Sequence, residues 1–270
     1  MFAKKKKGFT LIELLVVVSV IALLMAILVP ALGVARSQAR SAVCRSNIRQ
    51  FVMANVGYAT ENDGFYVPAA SDMWNNCGYH RWHGVRESLG EPFDPLKGPL
   101  VRYLADGKVK ECPVRTKFIK DQGWNINFEQ GCGGYGYNMA YLGSRLWQCG
   151  YSYGDKESYA KTTRLAEVAR PGETLMFADT AFYQDNEYLI EYSFAEPRFW
   201  ISDGKILADS SPSPSIHFRH RGRANIGWAD GHIDGREMGD FYSDNDFYVD
   251  FANMKLGWFE PIDNTLFDLK

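Results

Sequence analysis

The sequence predicts an α+β chain: one long N-terminal helix, its first half transmembrane, packed on an antiparallel β-sheet head with loop-rich insertions. Three observations carry this. Residues Phe9 to Val29 form a 21-residue apolar run with one charge, Glu13, directly after Lys4 to Lys7. An amphipathic helical pattern continues beyond it to residue 60. Two apolar strand-like runs then lie late in the chain, the second entering an Asp-Gly turn. An aromatic content of 14% with frequent Gly suits a strand- and turn-rich head better than a helix bundle.

The first element has the length of a bilayer. At 1.5 Å per residue, a helix over the apolar run spans about 30 Å. Lys4 to Lys7 hold its start in the cytoplasm and send the remainder across. A secretory signal peptide has a basic start too, but its apolar region usually covers about 7–15 residues, and Ala31-Leu32-Gly33 is only a passable cleavage site. A plain anchor explains the length but not Glu13, since a charge inside a spanning helix asks for a partner.

After Pro30 the pattern turns amphipathic. Ile48, Phe51, Val52, Val56 and Ala59 recur on one helical face, and Leu32, Ala35, Ala39, Ala42 and Val43 continue that stripe with smaller side chains. Arg36, Arg40, Arg45 and Arg49 lie off it. Pro30 removes one helical hydrogen bond and can bend or locally melt the helix. Asn62-Asp63-Gly64 ends it with turn residues.

From Glu61 to about Leu165 the signals are weak. Phe65 to Pro68 reads as an extended segment, Gly98 to Leu104 as a short helical turn, and Gly133-Gly134-Tyr135-Gly136-Tyr137-Asn138 as a tight glycine-rich turn. Glu173 to Ala178 is an apolar strand ending at Asp179. Ala224 to Ala229 is a second, entered from Arg221-Gly222-Arg223 and leading through Asp230-Gly231 into His232-Ile233-Asp234. The Asp-Gly pair suits a type I′ turn. These three strands are expected to form the core antiparallel sheet.

Charge and cysteine count narrow the partners. Residues 1–60 hold four Lys, four Arg and one acid, which leaves 22 basic and 31 acidic residues from Glu61 onward, a net of −9. No nucleic acid is expected as a partner, because phosphate neutralisation needs clustered Lys and Arg. Five Cys (44, 77, 112, 132 and 149) allow at most two internal disulfides.

Candidate metal ligands fall in three places, each with a plainer structural reading beside it. His217, His220, Asp230 and His232 surround one expected hairpin, where a His can equally hydrogen-bond across the turn. Cys77-x2-His80-x2-His83 has a zinc-like spacing, but in a non-reducing compartment Cys77 more often pairs with another Cys. Asp240, Asp244, Asp246 and Asp250, with Asn245 and Asn253, supply the oxygen ligands calcium prefers, without EF-hand spacing. Asp244, Asp246 and Asp250 are the calcium candidates, and a solvated acidic loop is the plainer reading. No cofactor is required. The absence of a nucleophile elbow, phosphate loop or HExxH pattern points away from an enzyme.

Residues 4 to 15, Lys-Lys-Lys-Lys-Gly-Phe-Thr-Leu-Ile-Glu-Leu-Leu, resemble the signal of type IV prepilins and type II secretion pseudopilins. The resemblance implies a leader over 1–8, a transmembrane and assembly helix over 9–30, an amphipathic stalk helix over 31–60 and a non-cytoplasmic head over 61–270. It implies that prepilin peptidase cuts after Gly8, that Phe9 is N-methylated, and that Glu13 faces the α-amino group of a neighbouring subunit's Phe9. Pro30 falls where that family places a helix-bending proline.

A second resemblance lies in the head. His220, nine residues, then Asp230-Gly231 is similar to the C-terminal motif of a large set of bacterial prepilin-like proteins. Cys44 to Gln50, Glu111-Cys112-Pro113 and Tyr135 to Asn138 resemble recurring segments of that set. Cys44 and Cys112 both fall in such segments, and the resemblance leads us to expect that they form a disulfide joining helix to head. Segments 72–97 and 182–213 resemble no family and read as insertions.

The function implied is structural: a pilin-like subunit of a type II secretion pseudopilus or type IV pilus-like filament. It would begin as a single-pass protein of the cytoplasmic (inner) membrane with a periplasmic head. Its implied partners are prepilin peptidase, other pilin or pseudopilin subunits, and a secretion or pilus assembly platform. The rival reading is an exported adhesin or ligand-binding protein that uses the prepilin signal only for export.

Overall fold

The structure is a computed structural model that describes residues 10–73, 78–114, 118, 129–149, 156–184, 188–202, 204–240 and 249–270. It divides into two compact units, Met1–Arg40 and Ser41–Lys270. Helix α1 (Leu11–Glu61) begins in the first and ends in the second.

In the first unit every large apolar side chain from Leu11 to Val34 is exposed. Among the described residues, α1 is the one helix long and apolar enough to cross a membrane. Pro30 lies within it, and the helix runs unbroken through that position. The local melting that a mid-helix proline permits is therefore absent.

The second unit takes over the helix at Ser41. Burial begins at Cys44 and continues through Asn47, Ile48, Phe51, Val52, Ala54, Asn55 and Ala59. The earlier part of the expected stripe, Leu32 to Val43, stays largely exposed. The helix stops where Gly64 N–H bonds back to Ala59 O.

The head follows as short strands and turns. β1 (His80–Arg81) and β2 (Gly84–Val85) form a hairpin. β3 (Tyr135–Tyr137) precedes two short helices, α2 (Leu146–Cys149) and α3 (Lys156–Ala160). Then come β4 (Leu175–Asp179), β5 (Phe182–Gln184), β6 (Tyr188–Ile190), β7 (Trp200–Ser202) and β8 (Lys205–Leu207). β9 (Ile216–His217), β10 (Arg223–Trp228), β11 (Ile233–Glu237) and β12 (Leu256–Gly257) complete the order.

The core sheet has four antiparallel strands in the order β11-β10-β4-β3, with two-stranded sheets β1-β2, β5-β6, β7-β8 and β9-β12 around it. The three expected strands are its β4, β10 and β11. The fourth was read as a glycine-rich turn. Gly133 and Gly134 do turn the chain, but Tyr135–Tyr137 pairs with Phe177–Asp179 as an edge strand.

The core forms where α1 lies on this sheet. Gly227 of β10 makes the approach close, because a Cβ there would meet Ile48 Cγ2 at 2.5 Å and Val52 Cγ2 at 2.9 Å. Phe51 packs edge-on against Tyr135 (5.1 Å between ring centroids) and Trp82 (5.6 Å), and Trp82 against Phe177 (4.9 Å). Such aromatic pairs add about 0.5–1.5 kcal/mol each beyond area burial. Trp82 comes from the segment read as an insertion, as do Phe93, Phe194 and Ile201 from the two such segments, and all are buried. These segments carry short hairpins and supply core side chains.

The Asp230-Gly231 turn also differs from expectation. Gly231 N–H bonds to Trp228 O and Trp228 N–H to His232 O, closing a three-residue loop with Gly231 at φ 94°. The type I′ signature, positive φ at both central residues, sits at the other end of β10 instead, at Arg221 (φ 58°) and Gly222 (φ 82°).

Candidate functional site

Four segments that are far apart in sequence meet beside α1 in a buried polar centre. Cys44 comes from the helix, Cys112 from the loop before Pro113, Asp179 from the end of β4 and His220 from the turn into β10. Their sulfur, oxygen and nitrogen atoms all lie within 4.8 Å of one another. Cys44 Sγ donates to Asp179 Oδ1 at 3.0 Å, and His220 Nε2 lies 3.2 Å from Asp179 Oδ2 and 3.6 Å from Cys112 Sγ.

Asp179 is the hub. Its Oδ1 also accepts from Arg219 Nη2 at 2.8 Å, and its Oδ2 from the Asn225 N–H at 2.7 Å. Arg219 donates further to the carbonyls of Gly134 and Thr180. The Asn225 side chain accepts from Arg45 Nε (2.9 Å) on the helix. A buried arginine with one carboxylate and two carbonyls meets the requirement that interior charge be paired and hydrogen-bonded.

The pKa shifts follow from this packing. Burial alone would raise Asp179, but Arg219 and His220 outweigh it and hold the carboxyl well below its ordinary range. Burial would lower His220, yet Asp179 and Cys112 lift it to about 9. Cys112 is drawn down to about 4, first by the neighbouring Cys44 and then, against burial, by Arg219 and His220. Cys44 is pushed well above a normal thiol by burial, by Cys112 and by the Asp179 charge.

This is not a nucleophilic triad. A relay needs the acid on one ring nitrogen and the nucleophile on the other, whereas Asp179 and Cys112 both approach Nε2. His220 Nδ1 has no partner among the described residues. The expected Cys44–Cys112 pair is brought together here, but as two free thiols.

Other candidates separate. His220 and Asp230 stand at opposite ends of β10, so the nine-residue spacing is the length of one strand with its turns, and the four-ligand reading of His217, His220, Asp230 and His232 is overturned. Asp230 Oδ1 accepts from the His232 N–H at 3.0 Å and lies 2.7 Å from its Nδ1, while His217 Nδ1 faces Arg219 Nη1 at 3.2 Å. Of the zinc-like Cys77, His80, His83 spacing, the two histidines have separate partners. His80 is exposed and pairs with Asp72, His83 is buried on Ser193 Oγ at 2.7 Å, and Cys77 lies outside the described residues. Of the calcium candidates, Asp244 and Asp246 lie outside the described residues, and Asp250 Oδ1 accepts from the Asn253 N–H at 2.9 Å.

At the start of α1, Gly8 and Phe9 lie outside the described residues. Thr10 and Glu13 form a reciprocal cap. Thr10 Oγ1 accepts from the Glu13 N–H at 3.2 Å, and Glu13 Oε2 accepts from the Thr10 N–H at 2.9 Å and its hydroxyl at 2.8 Å. Residues 3–29 match the prokaryotic N-terminal methylation motif. The chain opens with a prepilin-type signal.

Two relatives extend that likeness. The type IV major pilin protein PilA of Myxococcus xanthus is 26% identical over 115 residues, covering 43% of this chain and 44% of the relative. The type IV wide pilus major component PilA4 of Thermus thermophilus is 39% identical over 62 residues, covering 23% of this chain and 47% of the relative. The matched region thus spans somewhat under half the length of these relatives. No solved structure matches. The prepilin-type signal was legible from residues 4 to 15. Asp179 and Arg219 of the polar centre were missed, although an aspartate closing an apolar strand and an arginine beside the motif histidine were the available signals.

Proposed function

We propose that this chain is a pilin-like filament subunit, held in the cytoplasmic membrane by α1 before assembly and processed by prepilin peptidase between Gly8 and Phe9. The observation that carries this is one uninterrupted helix with two different surfaces. Its first part bears the prepilin-type signal and an apolar side-chain set that no part of its own unit covers, and its last part is built into the head's core. Filament assembly gives the uncovered surface a destination, since neighbouring copies of the same helix can pack on it.

Within that reading Phe9 is methylated and Glu13 offers a carboxylate to the ammonium of a neighbouring Phe9. A buried pair of this kind fixes register better than it adds net stability. Between a type IV pilus and a type II secretion pseudopilus, the relatives' description as type IV pilins favours the pilus.

N-terminal mass spectrometry of the mature protein tests the processing step. A methylated Phe9 is expected, and a start after Ala31 or Gly33 would identify an ordinary signal peptide. For assembly, Glu13→Gln should process and insert normally yet be missing from the sheared filament fraction. Entry of that variant into filaments at the wild-type level would remove Glu13 as the register device.

A further inference from the structure

We propose that Cys44, Cys112, Asp179 and His220 bind one divalent transition metal of the zinc class, tying helix α1 to the sheet from within. The donor set comes first. Two thiolates, one imidazole nitrogen and one carboxylate oxygen are the ligand types zinc takes in closed four-coordinate sites. In this fold they come from a helix, a loop, a strand end and a turn, so the site joins four separate pieces of the head.

The donor spacing is close to that around one central ion, with two of its edges a few tenths of an ångström tighter. Donors at about 2.0–2.3 Å from a tetrahedral ion lie roughly 3.3–3.8 Å from each other. The observed edges are 3.6 Å from Cys112 to His220, 3.2 Å from His220 to Asp179 and 3.0 Å from Cys44 to Asp179, with all four atoms within 4.8 Å. The imidazole orientation points the same way. Cys112 and Asp179 converge on a single ring nitrogen, Nε2, which suits coordination around one point and not a proton relay through the ring.

Supporting contacts are present for the carboxylate, while His220 Nδ1 has no partner among the described residues. Zinc-bound carboxylates are normally held by outer hydrogen bonds, and Asp179 receives them from Arg219 Nη2 at 2.8 Å and the Asn225 N–H at 2.7 Å. The charges cancel: two thiolates and one carboxylate oppose a divalent ion and the Arg219 guanidinium, with His220 neutral. Zinc takes thiolates and a neutral imidazole, so binding displaces whatever protons the two sulfurs and Nε2 carry. Cys44, Asp179 and His220 are buried and Cys112 is partly exposed, so Cys112 marks the edge through which an ion enters.

A disulfide between Cys44 and Cys112 is the competing state. It would use two of the four donors and leave Nε2 of His220 facing neutral sulfur. The metal reading is independent of the filament proposal, because it concerns the interior of the head whatever the helix assembles with.

The test uses the full chain without a polyhistidine tag, extracted in detergent without chelators, and measures zinc, thiol reactivity and disulfides together. About one zinc per chain is expected. Cys44 and Cys112 should resist alkylation until a chelator strips the metal and then react. Cys112→Ser and His220→Ala, each confirmed folded by circular dichroism, should lose zinc affinity by about 10–100-fold or more. If the variants do not fold, the wild-type protection pattern decides alone. A Cys44–Cys112 disulfide in non-reducing peptide maps, alkylation that is the same with and without chelator, or zinc retained by both folded variants would each overturn the proposal.

Discussion

The two parts of α1 differ in what each asks of its surroundings. From residue 11 to 29 the helix carries leucine, isoleucine and valine around its whole circumference, and all of them are exposed within their own unit. From residue 44 to 59 its apolar residues, with the exposed Met53 as the exception, keep mainly to one face, which is buried, and the polar residues on that face are matched individually. Asn47 donates to the Tyr135 hydroxyl at 3.0 Å, and Asn55 accepts from the Val67 N–H at 2.9 Å. An all-round apolar helix needs a solvent of lipid or of other helices, whereas a one-sided helix needs a single partner of fixed shape. One helix thus reads as two materials, joined without a break at Pro30 or Arg40.

The largest expected effect lies in the buried part. Phe51 is the ring on which Trp82, Tyr135 and Phe177 converge. Phe51→Ala should lower the unfolding free energy of the head by about 3–5 kcal/mol. Leu23→Ala, at a position 65% exposed, should change it by less than about 0.5 kcal/mol. Urea unfolding of the full chain in detergent, followed by tryptophan fluorescence, measures both. Equal effects would erase the distinction between the two parts.

A charge sharpens the comparison from the other side. Leu23→Arg should leave head stability unchanged but oppose membrane insertion by roughly 2.5–3.5 kcal/mol. The measurement is the ratio of membrane-integrated to carbonate-extractable protein. A variant that inserts as wild type while its head melts early would contradict the membrane reading of residues 11–29.

The pH dependence belongs to the head. Glu196 is buried, with its carboxyl raised to about 7 by burial against the lowering hydrogen bond from the Tyr192 hydroxyl at 2.8 Å. Its folded value lies above the unfolded one, so its contribution is fully present below about pH 4.5 and is lost as pH rises through about 7. At pH 8 the ionised, buried group costs on the order of 3 kcal/mol at most. Glu196→Gln should therefore stabilise the head at pH 8 and flatten its melting profile between pH 5 and 8. A profile as steep as wild type would assign the dependence to another group.

How much was legible in the sequence follows the same division. The first part of α1 could be read because its signal is continuous and needs no partner. β4 and β10 could be read because each is an apolar run closed by a turn residue. β3 could not, since three residues between glycines have no periodicity and become a strand only through pairing with Phe177–Asp179. The polar centre was half legible. Cys44, Cys112 and His220 stood out as residue types, but their meeting at Asp179 depends on sheet register and on where α1 lies, neither of which is a local property.

The smallest effect separates two roles that meet at Glu13. Its carboxylate closes a cap with Thr10, so a loss of assembly in a Glu13 variant could come from a missing charge or from a frayed helix start. Glutamine can replace glutamate in this kind of cap, whereas valine cannot replace threonine. Glu13→Gln therefore removes the charge and keeps the cap, and Thr10→Val removes the cap hydroxyl and keeps the charge. Loss of that hydroxyl should weaken the helix start by about 1 kcal/mol, visible as faster amide exchange over residues 11–14, with filament yield only slightly reduced. Glu13→Gln should show the reverse: exchange near wild type and filaments absent. If Thr10→Val abolished filaments as completely as Glu13→Gln, the helix start itself would be the requirement. The exposed part of α1 would then depend on local order as strictly as the buried part depends on packing.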